Sequence, residues 1–207
     1  WNDMNEPAVM EVPNKTFPMD VRHDYDGNPC SHRKAHNIYG TQMARATYHG
    51  VKRFAYPKRP FVITRSAYAG AQRYSSSWTG DNVASWEHLW IANIQMQRMS
   101  ISGMGFTGSD IGGFAEQPSG ELYARWIQLG VFHPFCRTHS SGDHGDQEPW
   151  AFDEEVTNII RKFVNLRYQL LPYLYTMFWH YIDQGIPMLK PLVYYDQDDI
   201  QTHFRHD

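Results

Sequence analysis

Cysteine is scarce: Cys30 and Cys136 are the only two in 207 residues, too few and too widely separated for a disulfide scaffold or a zinc ribbon. No apolar run approaches the ~20 residues that a bilayer-crossing helix requires, so no membrane span is expected in this chain. Neither charge sign is in excess. The 19 Lys and Arg against 22 Asp and Glu leave a formal charge of -3, which gives no electrostatic footing for nucleic acid or an anionic lipid surface. The eleven histidines show no HExxH or comparable ligand spacing, so no metal is expected. The GSDIGG run at 108–113 lacks the lysine of a phosphate loop, which removes the main support for nucleotide chemistry. Internal repeats and low-complexity tracts are absent.

Aromatic residues, by contrast, reach 15%, with seven Trp and thirteen Tyr. That suits a well-filled core or a site that stacks flat ligands, sugars among them. Short apolar runs alternate with long amphipathic patterns, the signature of an α/β chain with a mainly parallel sheet. Residues 8–35 carry Pro, Asn, Asp and Gly without a steady period and read as a long loop. A helix is expected from about Lys34 to Arg53, then a β-rich FVIT at 61–64, a short strand or turn at 75–82 and a helix from Trp86 to Met99. Further strands are expected within 103–114 and 131–140, with a helix from about Gly120 to Leu129 between them. The longest helical pattern, Phe152 to Tyr181, contains Pro172, which should kink it. Its Tyr168, Tyr173, Tyr175, Phe178 and Trp179 read as core or interface packing.

Polar side chains fall at successive strand ends: Asp3, Arg65, Asp81, Asp110, then Arg137 and His139. A (β/α)8 TIM barrel builds its active site in this way. Only about four strand–helix units are visible, whereas a complete barrel takes ~250 residues. The chain opens on Trp1 in WNDMNEP, neither a signal peptide nor a tag, and reads as a piece of a longer protein. Residues 1–184 are accordingly expected to be the C-terminal half of a barrel whose N-terminal half is missing. Residues 185–207 are expected to begin a post-barrel β-domain.

Asp3 stands between Trp1 and Met4, with Glu6 nearby, and Asp81 follows Trp78. Acetal hydrolysis uses one carboxylate to meet an oxocarbenium-like carbon and a second, protonated, to donate to the leaving oxygen. Tryptophan suits the apolar face of a pyranose. The competing reading is that these carboxylates cap strand ends or accept structural hydrogen bonds; for Glu6, next to Pro7, loop anchoring is the preferred role. In the 139–149 loop, Asp143, His144, Asp146 and Glu148 could be taken for an ion site, but a solvated loop over the site mouth is the better reading.

Five blocks, WNDMNEP at 1–7, TRS at 64–66, WTGDN at 78–82, SDIGGF at 109–114 and RTH at 137–139, resemble glycoside hydrolase family 31 in order and spacing. The likeness runs on through LRYQLLPYLYT at 166–176. It implies a (β/α)8 catalytic barrel leading into a C-terminal β-sandwich and a retaining mechanism. The implied substrates are α-linked glucosides or oligosaccharides, and no metal or organic cofactor is implied. Carried over, Asp3 would be the nucleophile and Asp81 the general acid and base. Trp1 and Met4 would line the site, and Arg65 would hold the nucleophile ionised. Asp110 and His139 would grip sugar hydroxyls, Arg137 would tie the site through a carboxylate, and Trp78 and Phe114 would wall the sugar pocket.

This chain has RTH where the family commonly has RNH, which moves one polar side chain and keeps the Arg and His. Family sugar-binding residues on earlier strands would lie upstream of Trp1. Three other outcomes remain open: α-xylosidase activity, α-glucosyl transfer to a second sugar, and an inactive fragment or sugar-binding module. The presence of both Asp3 and Asp81 argues against the last.

Overall fold

The computed structural model describes residues 1–205; the end of the expected 185–207 domain, including His206, lies outside the described residues. The chain divides into two compact units, Trp1–Ser77 and a second beginning at Trp78.

In the first unit, two short strands, β1 (Arg22–His23) and β2 (Cys30–Ser31), pair antiparallel. The segment read as an irregular loop therefore contains a hairpin. Helix α1 follows at once, His32–Phe54. Lys52 and Arg53 in its last turn favour the negative end of the helix dipole, and Pro57 excludes further helix. The hairpin is fastened to α1 by three imidazoles. His32, fully buried, contacts His23 through Nδ1 at 2.9 Å and His36 through Nε2 at 3.0 Å, while the rings of Phe17 and Tyr39 close around them. Gly40, inside α1, is required by packing: a Cβ there would lie 2.6 Å from the Ser66 carbonyl oxygen. Strands β3 (Ile63–Thr64) and β4 (Ser76–Ser77) pair in parallel, and Asn2 adds a parallel bridge to Thr64.

In the second unit, α2 (Trp86–Ile101) starts at Ser85, whose hydroxyl accepts from His88 N. Helix α3 (Gly120–Gly130) starts at Ser119, which caps Leu122 N, and α4 (Glu154–Gln184) at Asp153, which caps Val156 N. Each cap satisfies a donor that the first turn leaves orphaned. Strands β5 (Asp110–Ile111) and β6 (Arg137–Thr138) pair in parallel, with α3 between them in sequence. The core lies around α3. Ile111, Leu122, Tyr123, Trp126 and Ile127 pack with Val156 and Ile160 of α4, and Trp126 donates its indole N–H to Ser109.

An α/β chain with parallel pairing is thus what the sequence folds into, but its strands are shorter than the apolar runs suggested. Val131–Pro134 prolongs the α3 turn instead of forming a strand: Phe132 N and His133 N donate back to Leu129 and Gly130. Arg167 of α4 fixes that turn, donating to the carbonyls of Val131, His133 and Pro134. Gly108 is squeezed against the carbonyl of Phe135, leaving no room for a side chain.

Helix α4 runs unbroken through Pro172. Pro172 and Tyr168 are both exposed, so the carbonyl that loses its N–H partner can turn to water. Phe178 packs on Phe106 at 5.2 Å, as core packing requires. Tyr168, Tyr173, Tyr175 and Trp179 instead lie exposed, so they are not core residues of the described chain. Between 185 and 205 there are two 3-10 turns, Leu192–Tyr194 and Ile200–His203, and no strand among the described residues.

Candidate active site

Burial along the opening motif separates the residues that serve the fold from the rest. Asn2 and Asn5 turn inward and are buried. The Asn2 N–H donates to the Ile63 carbonyl and the Asn2 carbonyl accepts from Arg65 N, at 2.8 and 3.0 Å. Asn5 donates its amide to Thr64 Oγ1 at 2.8 Å and accepts from Ser66 N at 3.0 Å. These bonds set residues 1–6 in register with β3, and that register carries Arg65 over the carboxylates.

Arg65 Nη1 lies 3.1 Å from Asp3 Oδ1. Its other edge is taken by Glu6, with Nε to Oε1 at 2.9 Å and Nη2 to Oε2 at 3.0 Å. The Met4 sulfur lies 2.9 Å from Nη2. Met4 is held at φ 58°, a left-handed conformation that a long side chain rarely adopts; strain of this kind gathers at functional sites. The Arg65 hydrogen bonds, helped by its charge, hold the Glu6 carboxyl below the usual carboxylate range against the opposing effect of burial. Trp1 stands largely open to solvent.

Glu6 is the residue whose part the sequence understated. Loop anchoring was the preferred reading, and the structure gives it the fork of the Arg65 guanidinium. Asn2, Asn5 and Thr64 were missed altogether. Buried short polar residues around a strand end were the available signal, since such groups need named hydrogen-bond partners.

A second cluster belongs to the second unit. Asp110 is fully buried at the start of β5, and Arg137 at the start of β6 donates to its Oδ1 through Nε at 3.2 Å and Nη2 at 2.8 Å. The parallel register places these two residues opposite one another. The Arg137 guanidinium also lies 5.3 Å from the ring of buried Trp78 and 5.1 Å from that of Phe135, within cation–π range. Phe114 and His139 face each other at 5.2 Å, tilted by 34°.

The WTGDN segment is clipped to this cluster by backbone: Thr79 N donates to Gly108 O, and the Asn82 carbonyl accepts from Phe114 N and Ala115 N. At Gly113, where φ is 90°, a Cβ would lie 2.5 Å from Ala84 N, so the close passage of the two segments requires glycine. Asp81 sits on this segment, exposed to solvent. The 139–149 loop is held by Gln147, which donates to Gly113 O, while residues 142–146 are exposed. Among the described residues, no group of three or more His, Cys, Asp or Glu side chains could hold a metal ion.

The structure thus unites Asp3, Met4 and Arg65 with Glu6 in one cluster. Asp110, Arg137 and Trp78 form another, with Phe114 and His139 paired beside the segment that bears Asp81.

Residues 1–177 match the family described as Glycosyl hydrolases family 31 TIM-barrel domain. The chain is 46% identical to Alpha-glucosidase 2 of Bacillus thermoamyloliquefaciens over 209 aligned residues, covering all of this chain and 26% of that protein. It is 46% identical to the Glucosidase 2 subunit alpha of Saccharomyces cerevisiae, covering 93% of this chain and 20% of that one. A solved glucosidase II alpha subunit in a Tris-bound form superposes with a TM-score of 0.89 at 42% identity, covering 95% of this chain and 21% of the other. The chain belongs to glycoside hydrolase family 31. It spans between a fifth and about a quarter of the length of these relatives.

Proposed function

We propose that the protein to which this chain belongs is a retaining α-glucosidase, with residues 1–184 supplying the C-terminal half of its (β/α)8 barrel and residues 185–207 the start of a C-terminal β-sandwich. In this reading Asp3 attacks the anomeric carbon of an α-linked glucoside and forms a covalent glycosyl ester. Asp81 protonates the departing oxygen and then takes a proton from the water that cleaves the ester. The bond from the sugar to the leaving oxygen breaks as the bond to Asp3 forms, and the second step reverses the exchange with water. Asp110 and His139 hold sugar hydroxyls, Arg137 orients Asp110, and Trp78, Phe114, Trp1 and Met4 shape the walls.

The observation that supports this reading most is the Arg65–Asp3 contact of 3.1 Å in a family 31 chain. A carboxylate poised for attack must be ionised and aimed, and a guanidinium beside it serves both needs. The names of the relatives, an alpha-glucosidase and a glucosidase 2 subunit, favour glucose as the sugar.

The test is to expose the full-length enzyme to 5-fluoro-α-glucosyl fluoride, which slows release of the ester, and to map the adduct by peptide mass spectrometry. A 5-fluoroglucosyl ester on Asp3 is expected. An adduct on any other residue contradicts the assignment.

A further inference from the structure

We propose that Glu6 is a positioning residue that orients Arg65 and offsets its charge, so that Arg65 aims Asp3 without placing an uncompensated cation beside the reacting carbon; this rests on the reading of Asp3 as nucleophile. A guanidinium has two forked edges that match a carboxylate at two points, and its side edge is Nε with Nη2. In this site that edge belongs to Glu6, at 2.9 and 3.0 Å. Asp3 is met by Nη1, at 3.1 Å. The plane of the guanidinium is therefore set by Glu6, and Asp3 is aimed by what remains.

The charge count leads to the same division of labour. Arg65 and Glu6 together are neutral, and the ionised state of Glu6 is favoured by its partner. In the transition state, positive charge spreads over the anomeric carbon and ring oxygen, and a bare cation behind Asp3 would oppose it. Once Asp3 becomes an ester it carries no charge, so a guanidinium relying on Asp3 alone would be left with no counter-ion. With Glu6 in place, Arg65 keeps a counter-ion through both steps. The competing role is simple anchoring of the chain entering Pro7, with no electrostatic part.

The two roles separate in the pH dependence of kcat/KM, measured for the full-length enzyme with p-nitrophenyl α-glucoside. Glu6→Gln keeps the shape of the side chain and removes its charge. Its acid limb is expected to move down by about one pH unit, because Asp3 then faces an uncompensated guanidinium, while kcat falls by about 10- to 100-fold. Glu6→Asp retains the charge and loses the second hydrogen bond, so its acid limb should stay at the wild-type position while kcat falls. An unmoved limb in Glu6→Gln, or equal movement in both variants, overturns the proposal.

Should Glu6→Gln fail to fold, the Glu6→Gln/Arg65→Gln double variant removes both charges. Its acid limb is expected within about half a unit of wild type, and a rise of a full unit or more would show that Arg65 acts uncompensated. The fluoroglucosyl ester on Asp3 of the wild-type enzyme keeps the two claims apart. If that ester forms and the limb does not respond to Glu6→Gln, the role of Glu6 fails and the nucleophile stands.

Discussion

Arg137 places two of its nitrogens, Nε and Nη2, on one oxygen of Asp110, Oδ1, at 3.2 and 2.8 Å. Asp110 is fully buried, and the Arg137 side chain keeps about a fifth of its surface in water. The buried carboxylate is thus paired with a partly solvated guanidinium, which in turn lies beside the ring of Trp78.

Removing that carboxylate deletes both hydrogen bonds that Arg137 donates to it. Asp110→Ala is expected to lower unfolding stability by about 2–3 kcal/mol, less than the ~3–5 kcal/mol for breaking a fully buried pair, because the guanidinium can recover some hydration. Urea denaturation of the full-length enzyme measures this. A loss under about 0.5 kcal/mol would show that the pair contributes nothing beyond a surface ion pair.

His133 governs a separate, acid-sensitive part of stability. Burial, and secondarily the charge of Arg167, push its imidazole down to about 4 from an ordinary 6.5. The unfolded chain accepts a proton at higher pH than the fold does, so stability rises with pH across this window. The contribution of His133 is intact above pH 6.5 and is lost as pH falls toward 4, up to about 3 kcal/mol in all at ~1.36 kcal/mol per unit. His133→Gln should flatten denaturation midpoints measured between pH 7 and pH 4. A variant with the same pH slope as wild type would rule His133 out as the source.

Asp81 is tested by the leaving group. Asp81→Ala is expected to slow hydrolysis of a natural α-linked disaccharide by at least about 100-fold, the typical size of a general-acid contribution. For a 2,4-dinitrophenyl α-glucoside, whose leaving group needs no proton, the first chemical step should slow by less than about 10-fold. Equal losses on both substrates, read from pre-steady-state bursts, would take the acid role away from Asp81.

What the sequence disclosed follows the range over which each feature is determined. Helix starts near Trp86 and Gly120 were legible from the onset of the apolar period, whereas the start expected at Phe152 falls at Glu154; the caps Ser85, Ser119 and Asp153, each accepting from a backbone N–H three residues on, are what the structure adds. Strand lengths were not. Val131–Pro134 is apolar enough for a strand, yet Arg167, distant in sequence, gathers its carbonyls into a turn. The hairpin at Arg22–Ser31 was hidden because its closure depends on His23 meeting His32 and on the aromatic rings around them.

The site divides in the same way. Asp3, Arg65, Asp81, Asp110 and Arg137 were visible as polar residues at strand ends; the structure sets Arg65 beside Asp3, as the resemblance implied, and supplies Asp110 as the carboxylate of Arg137, which the sequence left unnamed. Glu6 was read as an anchor because the partner that gives it a larger part, Arg65, is 59 positions away. Nothing in the local pattern around Pro7 indicates a guanidinium.

Retention through Asp3 is read by NMR of the anomer first released from an α-glucoside by the full-length enzyme, with Asp3→Asn alongside. α-Glucose is expected first, mutarotating afterwards, and Asp3→Asn, folded by its thermal melt, should release none. Initial β-glucose, or turnover by Asp3→Asn at the wild-type rate, would contradict it.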